Sequence, residues 1–158
     1  MHLIKPAVLI VTIILSVLTL SADAEHVIDD SKNPRYQFVL SSVTGSFKDG
    51  KLTLNGVPIA TFYSLGVKRW DGHSLLKEFV RMWNSDARIL KADPPNGTLS
   101  VLSDKGSSGA VIELSEPETT INTITFKARI LEGNLPAAFG PSSLFLELTV
   151  SAPLHTEN

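Results

Sequence analysis

The chain has no cysteine among its 158 residues. That absence removes thiol nucleophiles, Cys-ligated zinc, disulfides and the lipid-modified cysteine of a bacterial lipoprotein together. Histidine is scarce too, at His2, His26, His73 and His155. Serines are plentiful, yet none lies in a Gly-x-Ser-x-Gly elbow. Charge is nearly balanced, with 14 Lys+Arg against 16 Asp+Glu and a formal net charge of −2. Nucleic acid and anionic lipid select a basic footprint, and such a footprint is missing, so neither is expected as a partner. Long apolar runs are absent apart from Ala7 to Leu20, 14 residues, where a helix crossing a bilayer needs about 20. No permanent membrane anchor is expected.

What is present begins with that run. Lys5 precedes it and the triplet Ala22-Asp23-Ala24 follows it. This is the order of a secretory signal peptide over 1–24, with cleavage leaving Glu25 as the first residue of the mature chain. The expected address is therefore exported, periplasmic or extracellular. Cleavage removes Lys5 and Asp23 together and leaves the charge at −2. Residues 25–34 are polar, including Asp29-Asp30-Ser31-Lys32-Asn33-Pro34, and read as a flexible leader. A single domain over 35–151 follows, with a polar tail at 152–158. Without disulfides its hydrophobic core must supply the stability.

The grammar of the domain is mainly that of antiparallel strands. Tyr36, Phe38 and Leu40 share one face of an extended run; Asp49-Gly50 signals a turn; Leu52 and Leu54 share the next face. Val57 to Tyr63 is another β-branched and aromatic stretch, in which Pro58 predicts a late start or an edge position. Thr98 to Leu102 and Ala110 to Leu114 read as a hairpin around a loop Ser103 to Gly109. Ile124, Phe126, Ala128 and Ile130 alternate with polar residues, as do Leu144, Leu146, Leu148 and Val150. One segment changes period: Leu75, Leu76, Phe79, Val80 and Trp83 fall at helical spacing, predicting one short helix over about 74–84 with Ser74 as its cap. Asp93-Pro94-Pro95-Asn96-Gly97 ends anything helical. About seven strands and a helix predict a single antiparallel β-sandwich or barrel-like domain, the helix plugging an end or covering an edge.

The densest polar cluster is Lys68-Arg69-Trp70-Asp71-Gly72-His73. A carboxylate two residues from a histidine can orient an imidazole, although Asp71-Gly72 is also plain turn chemistry. Asp93 and Asn96 flank two prolines, so a stiff loop would present them. Asn96-Gly97-Thr98 fits a glycosylation sequon. Trp83 is expected in the core; Trp70 is the better exposed ring for stacking on a sugar. Phe139 is expected near the tip of the loop before the last strand. Paired acids for glycoside hydrolysis would come from Glu113, Glu116, Glu118, Glu132 or Glu147, of which Glu113 and Glu147 read as solvated strand positions.

Across most of the mature length the chain resembles a group of small exported bacterial β-rich proteins of uncharacterised function. The resemblance rests on Gly50-Lys51-Leu52-Thr53-Leu54, Gly72-His73, Phe79 with Trp83, Asp93-Pro94-Pro95-Asn96, Leu131-Glu132-Gly133 and Gly140-Pro141-Ser142-Ser143-Leu144-Phe145. Where those proteins carry Ser-Asp-Arg-Pro-x-Arg ahead of Gly-His, this chain reads Ser64-Leu65-Gly66-Val67-Lys68-Arg69. The resemblance implies export and a single domain, and no activity.

The expectation is thus a non-enzymatic exported domain that binds or scaffolds a protein or carbohydrate at the cell envelope. Its contact residues would be Arg69, Trp70, Asp71, His73, Asp93 and Asn96, with no catalytic residue, metal or cofactor. Two alternatives stand beside it. One is a metal-assisted or acid/base hydrolase using His73 with Asp71 or Asp93. The other is a homo-oligomer joined through an open strand edge, with the apolar last strand as the suspect.

Overall fold

The computed structural model describes residues 34–66, 69–104 and 106–151. The signal peptide, the leader up to Asn33, Lys68, His26, His155 and the polar tail lie outside them. The first five strands are β1 (Arg35–Ser42), β2 (Thr44–Lys48), β3 (Lys51–Asn55), β4 (Ile59–Ser64) and β5 (Asp71–Leu75). Two helices follow, α1 (Leu76–Ser85) and α2 (Ala87–Ala92), and then β6 (Asn96–Ser103), β7 (Gly106–Thr119), β8 (Thr123–Gly133), β9 (Ala138–Phe139) and β10 (Ser142–Thr149). All ten strands form one antiparallel sheet in the order β5-β4-β1-β10-β6-β7-β8-β3-β2-β9.

The alternation seen in the sequence is the alternation of burial. Tyr36, Phe38 and Leu40 of β1, Ile124 and Phe126 of β8, and Leu144, Leu146 and Leu148 of β10 are buried, while their polar neighbours face outward. The sheet curls round this apolar face, and α1 lies inside the curl. Phe79 of α1 meets Phe38 of β1 with ring centroids 5.1 Å apart, and Trp83 meets Phe126 of β8 at 5.8 Å. Since β1 and β8 stand four places apart in the sheet, touching one helix from both requires strong curvature. Phe79 and Trp83 also pack on each other at 6.0 Å, so edge-on and tilted aromatic contacts run from one wall to the other. The fold is barrel-like, with a helix as its filling.

Local chemistry explains the turns. Asp49 (φ 51°) and Gly50 (φ 72°) both adopt the left-handed conformation, the signature of a two-residue turn whose twist matches the strands it joins. Val57 and Pro58 precede β4, so the proline sits just outside the ladder where its missing N–H costs nothing.

Several expectations are corrected. The helix begins at Leu76, and Ser74 belongs to β5; Leu75 takes the cap position, with no side-chain hydrogen bond to the helix. A second helix, α2, follows the first after Asp86; its single turn and a half is too short to show a periodicity. The loop predicted over Ser103 to Gly109 is mostly strand, because β6 and β7 pair up to Ser103 and Gly106. Phe139 is no loop tip: it is buried in β9 opposite Gly45, where a Cβ would overlap its ring. Finally, the last strand is no edge, since β10 pairs with β1 on one side and β6 on the other. Among the described residues the strands paired on one side only are β5 and β9.

Candidate functional site

Strand β5 places four of the predicted residues at one end of the sheet. Arg69 is exposed and Trp70 half-buried just before it; Asp71 and His73 are exposed upon it. Trp70 is held to β4, its N–H donating to Ser64 Oγ at 2.7 Å and its carbonyl accepting from the Ser64 N–H at 2.7 Å. That pair sets the phase of the ladder. Antiparallel partners alternate between exchanging hydrogen bonds and not doing so, so with Tyr63 opposite Asp71, Phe62 opposite Gly72, Thr61 opposite His73 and Ala60 opposite Ser74, Gly72 and Ser74 bond to β4. Asp71, His73 and Leu75 therefore direct their N–H groups away from the sheet, as Asp71 and His73 do their carbonyls. The Leu75 carbonyl begins α1.

The same alternation divides the side chains. Gly72 and Ser74 face the concave side with Phe62 and Ala60, both buried. Asp71, His73 and Leu75 face outward, Leu75 being 53% exposed. His73 Nδ1 lies 3.1 Å from Thr61 Oγ1 on that outer face. Gly72 is small for a reason unrelated to a turn: a Cβ there would stand 2.8 Å from Phe62 Cζ.

Behind β5, on the concave side, α1 does not close completely against the sheet. A cleft of about 540 Å³ remains, lined by Phe62, Ser74, Met82, Ser85 and Val150, with the buried rings of Phe38 and Phe79 beneath it. Its charged groups are engaged. Glu78 pairs with Arg81 one turn on, and Asp86, buried between the helices, accepts hydrogen bonds from the Ser151 N–H at 3.0 Å and the Ser151 hydroxyl. What is left is a cleft with a largely neutral, polar rim, whose aromatic neighbours Phe38, Phe62 and Phe79 are themselves buried, of a size typical of small binding sites. Ser74 Oγ has no hydrogen-bond partner among the described residues. His73 borders the cleft although its ring lies against Thr61 on the outer face, so the cleft opens past the unpaired edge of β5.

Asp93 and Asn96 lie elsewhere. Asp93 ends α2, its N–H donating to the Ile89 carbonyl at 3.0 Å, and Asn96 opens β6 opposite Glu113. Between β5 and β6 stand β4, β1 and β10, and neither residue borders the cleft. The six residues thus form one group of four on β5 and its approach and a second group of two on a central strand and the turn before it.

A second hollow, about 510 Å³, lies on the outer face over β3, β7 and β8. Glu113 pairs there with Arg129 at 2.8 Å and Glu116 with Lys127 at 3.6 Å; the Glu113 carboxylate, by hydrogen bond and charge, raises the Arg129 pKa above its ordinary value. Glu147 likewise meets Arg35 at 3.3 Å. Each of these carboxylates has a basic neighbour on an open strand face, whereas the general acid of a glycosidase is kept in an apolar pocket. Asp71 and His73, two apart on one strand face, make no hydrogen bond to each other, and among the described residues no three His, Asp or Glu side chains gather as metal ligands.

The cleft was not foreseeable as a site. Phe38, Phe62 and Phe79 carry ordinary core spacing, and only the pairing of β4 with β5 reveals that Gly72 leaves room for a ring. Compared with protein-family models, with curated proteins and with solved structures, the chain matches none. No helix among the described residues is long and apolar enough to cross a membrane.

Proposed function

We propose that the protein is exported and acts without catalysis, binding or scaffolding a partner at the cell envelope through the β5 end of its sheet. The observation that carries this reading is the coincidence of three features at one place: exposed Asp71 and His73, an end strand paired on one side only among the described residues, and a cleft directly behind it. Function resides in sites rather than folds, and at β5 an open edge and an apolar cleft meet. The export half of the reading is supported by the order Lys5, apolar run and Ala22-Asp23-Ala24.

Two measurements test it. N-terminal sequencing of the protein recovered from the envelope or medium is expected to begin at Glu25, and an intact Met1 in the cytoplasm overturns export. A photo-crosslinking amino acid at position 73 is expected to give a discrete adduct in the producing cell, and one at Ile121, 90% exposed on the β7–β8 connection, is expected to give none. No adduct at 73, or the same adducts at both, overturns the contact surface.

A further inference from the structure

We infer that β5 receives an extended peptide segment of a partner protein as an eleventh strand, with an apolar side chain of that segment in the cleft beside Phe62, Ser74 and Met82. The inference rests on the binding reading above and gives its partner a chemistry.

Two observations carry it jointly. The unpaired edge offers the N–H and carbonyl groups of Asp71 and of His73, on alternate residues and in one plane, plus the Leu75 N–H. Only another extended backbone matches such a row at each position. A carbohydrate or small molecule would satisfy one or two of these groups and leave the rest to water. The second observation is the cleft, which borders the edge on the concave side. A strand laid against β5 continues the sheet, so every second side chain of it points to that side. Opposite Gly72 and Ser74, which fill little space, such a side chain points toward the cleft. Hydrogen bonds to the edge supply affinity without sequence, and the cleft supplies the preference for an apolar anchor.

The same geometry argues against a second copy of this chain as the occupant. Two β5 strands paired about a two-fold axis would offer each other's cleft only Gly72 and Ser74 on the concave side. The cleft would stay unfilled, so self-pairing uses half of what is built here.

The test is selection of displayed random peptides on the immobilised mature chain, residues 25–158. Peptides with apolar residues at alternate positions are expected to be enriched and to bind one to one. His73→Pro deletes an outward N–H while leaving the ladder to β4 intact, a position where an edge strand tolerates proline; it is expected to weaken the selected peptide roughly tenfold, by the lost hydrogen bond and the ring's bulk. Methylating the peptide's own amides needs no change to the protein. Alternate sites are expected to abolish binding, and the intervening ones to be tolerated. No enriched peptide, binding indifferent to both perturbations, or a dimer of the chain that His73→Pro dissociates overturns strand addition. Loss of strand addition with the position-73 adduct retained leaves the contact surface standing; loss of both removes both readings.

Discussion

Residue chemistry at the β5 end turns on Gly72, a small residue with a large neighbour. Its φ is not left-handed, so backbone freedom is not what it supplies. It supplies space, because Phe62 Cζ would stand 2.8 Å from any Cβ. The Phe62 ring is confined on its other sides by Tyr36, 5.7 Å between centroids, and Phe38, 6.0 Å. The cleft lies beside the same ring. Gly72→Ala is therefore expected to cost about 1–3 kcal/mol by overpacking, read as a lower denaturation midpoint, and to weaken any peptide held in the cleft. A variant of unchanged stability with full peptide binding would show that the ring is free to move elsewhere. Gly72 also shows where reading by residue type stops. An Asp-Gly pair is turn chemistry by local preference, and here the pair lies inside a strand because the cross-strand neighbour decides.

Helix α1 illustrates the same competition at the scale of an element. Leu76, Phe79 and Trp83 are buried and were legible from spacing alone, as was the placement of Trp83 in the core. The start was not, because Ser74 is a good cap by composition while tertiary pairing with Ala60 claims it for β5. A helix of ten residues is marginal by itself, so its stability comes from packing between β1 and β8. Two substitutions separate the contributions. Ser74→Ala is expected to change stability by less than about 0.5 kcal/mol, since no cap is lost, and Trp83→Ala to cost about 3–5 kcal/mol by emptying the contact between Phe79 and Phe126. Chemical denaturation of both variants checks this, and equal losses would contradict it. The strands were legible for a related reason: with one face buried, their period of two is written into the residue types. The hairpin of β6 and β7 was too, although its loop was drawn too long because Ser107, Ser108 and Gly109 are exposed and small yet still paired.

For the whole molecule, strand order is what no local pattern contains. β1 and β10, first and last in the chain, are neighbours, with Arg35 opposite Thr149 and Ser42 opposite Ser142, the last two joined by a buried hydroxyl contact of 2.6 Å. The apolar alternation of β10 announces burial, but only the topology shows that burial to be central, which moves the open edge to β5. This arrangement makes β10 the only strand joining the three-strand portion β5-β4-β1 to the six-strand portion beyond it. Ladders that hold β1, β10 and β6 are flanked by strands on both sides and backed by the core, whereas β5 has one neighbour and a cleft behind it. Local opening free energies follow such differences in contact. Amide hydrogen exchange is therefore expected to be slowest in β1, β10 and β6, fastest in β5 and β9, and to slow selectively in β5 when a selected peptide is bound. Uniform protection across the sheet would mean that the two portions are not separable. A chain ending at Pro141 tests the same point from the other direction. Without β10 the sheet falls into two pieces joined by the helices and by the short β1–β2 and β3–β4 connections, and cooperative unfolding is expected to be lost. An edge that exchanges quickly is also an edge that can accept a strand at little cost, so the fast exchange expected of β5 and its proposed role have one physical origin, its single neighbour in the sheet.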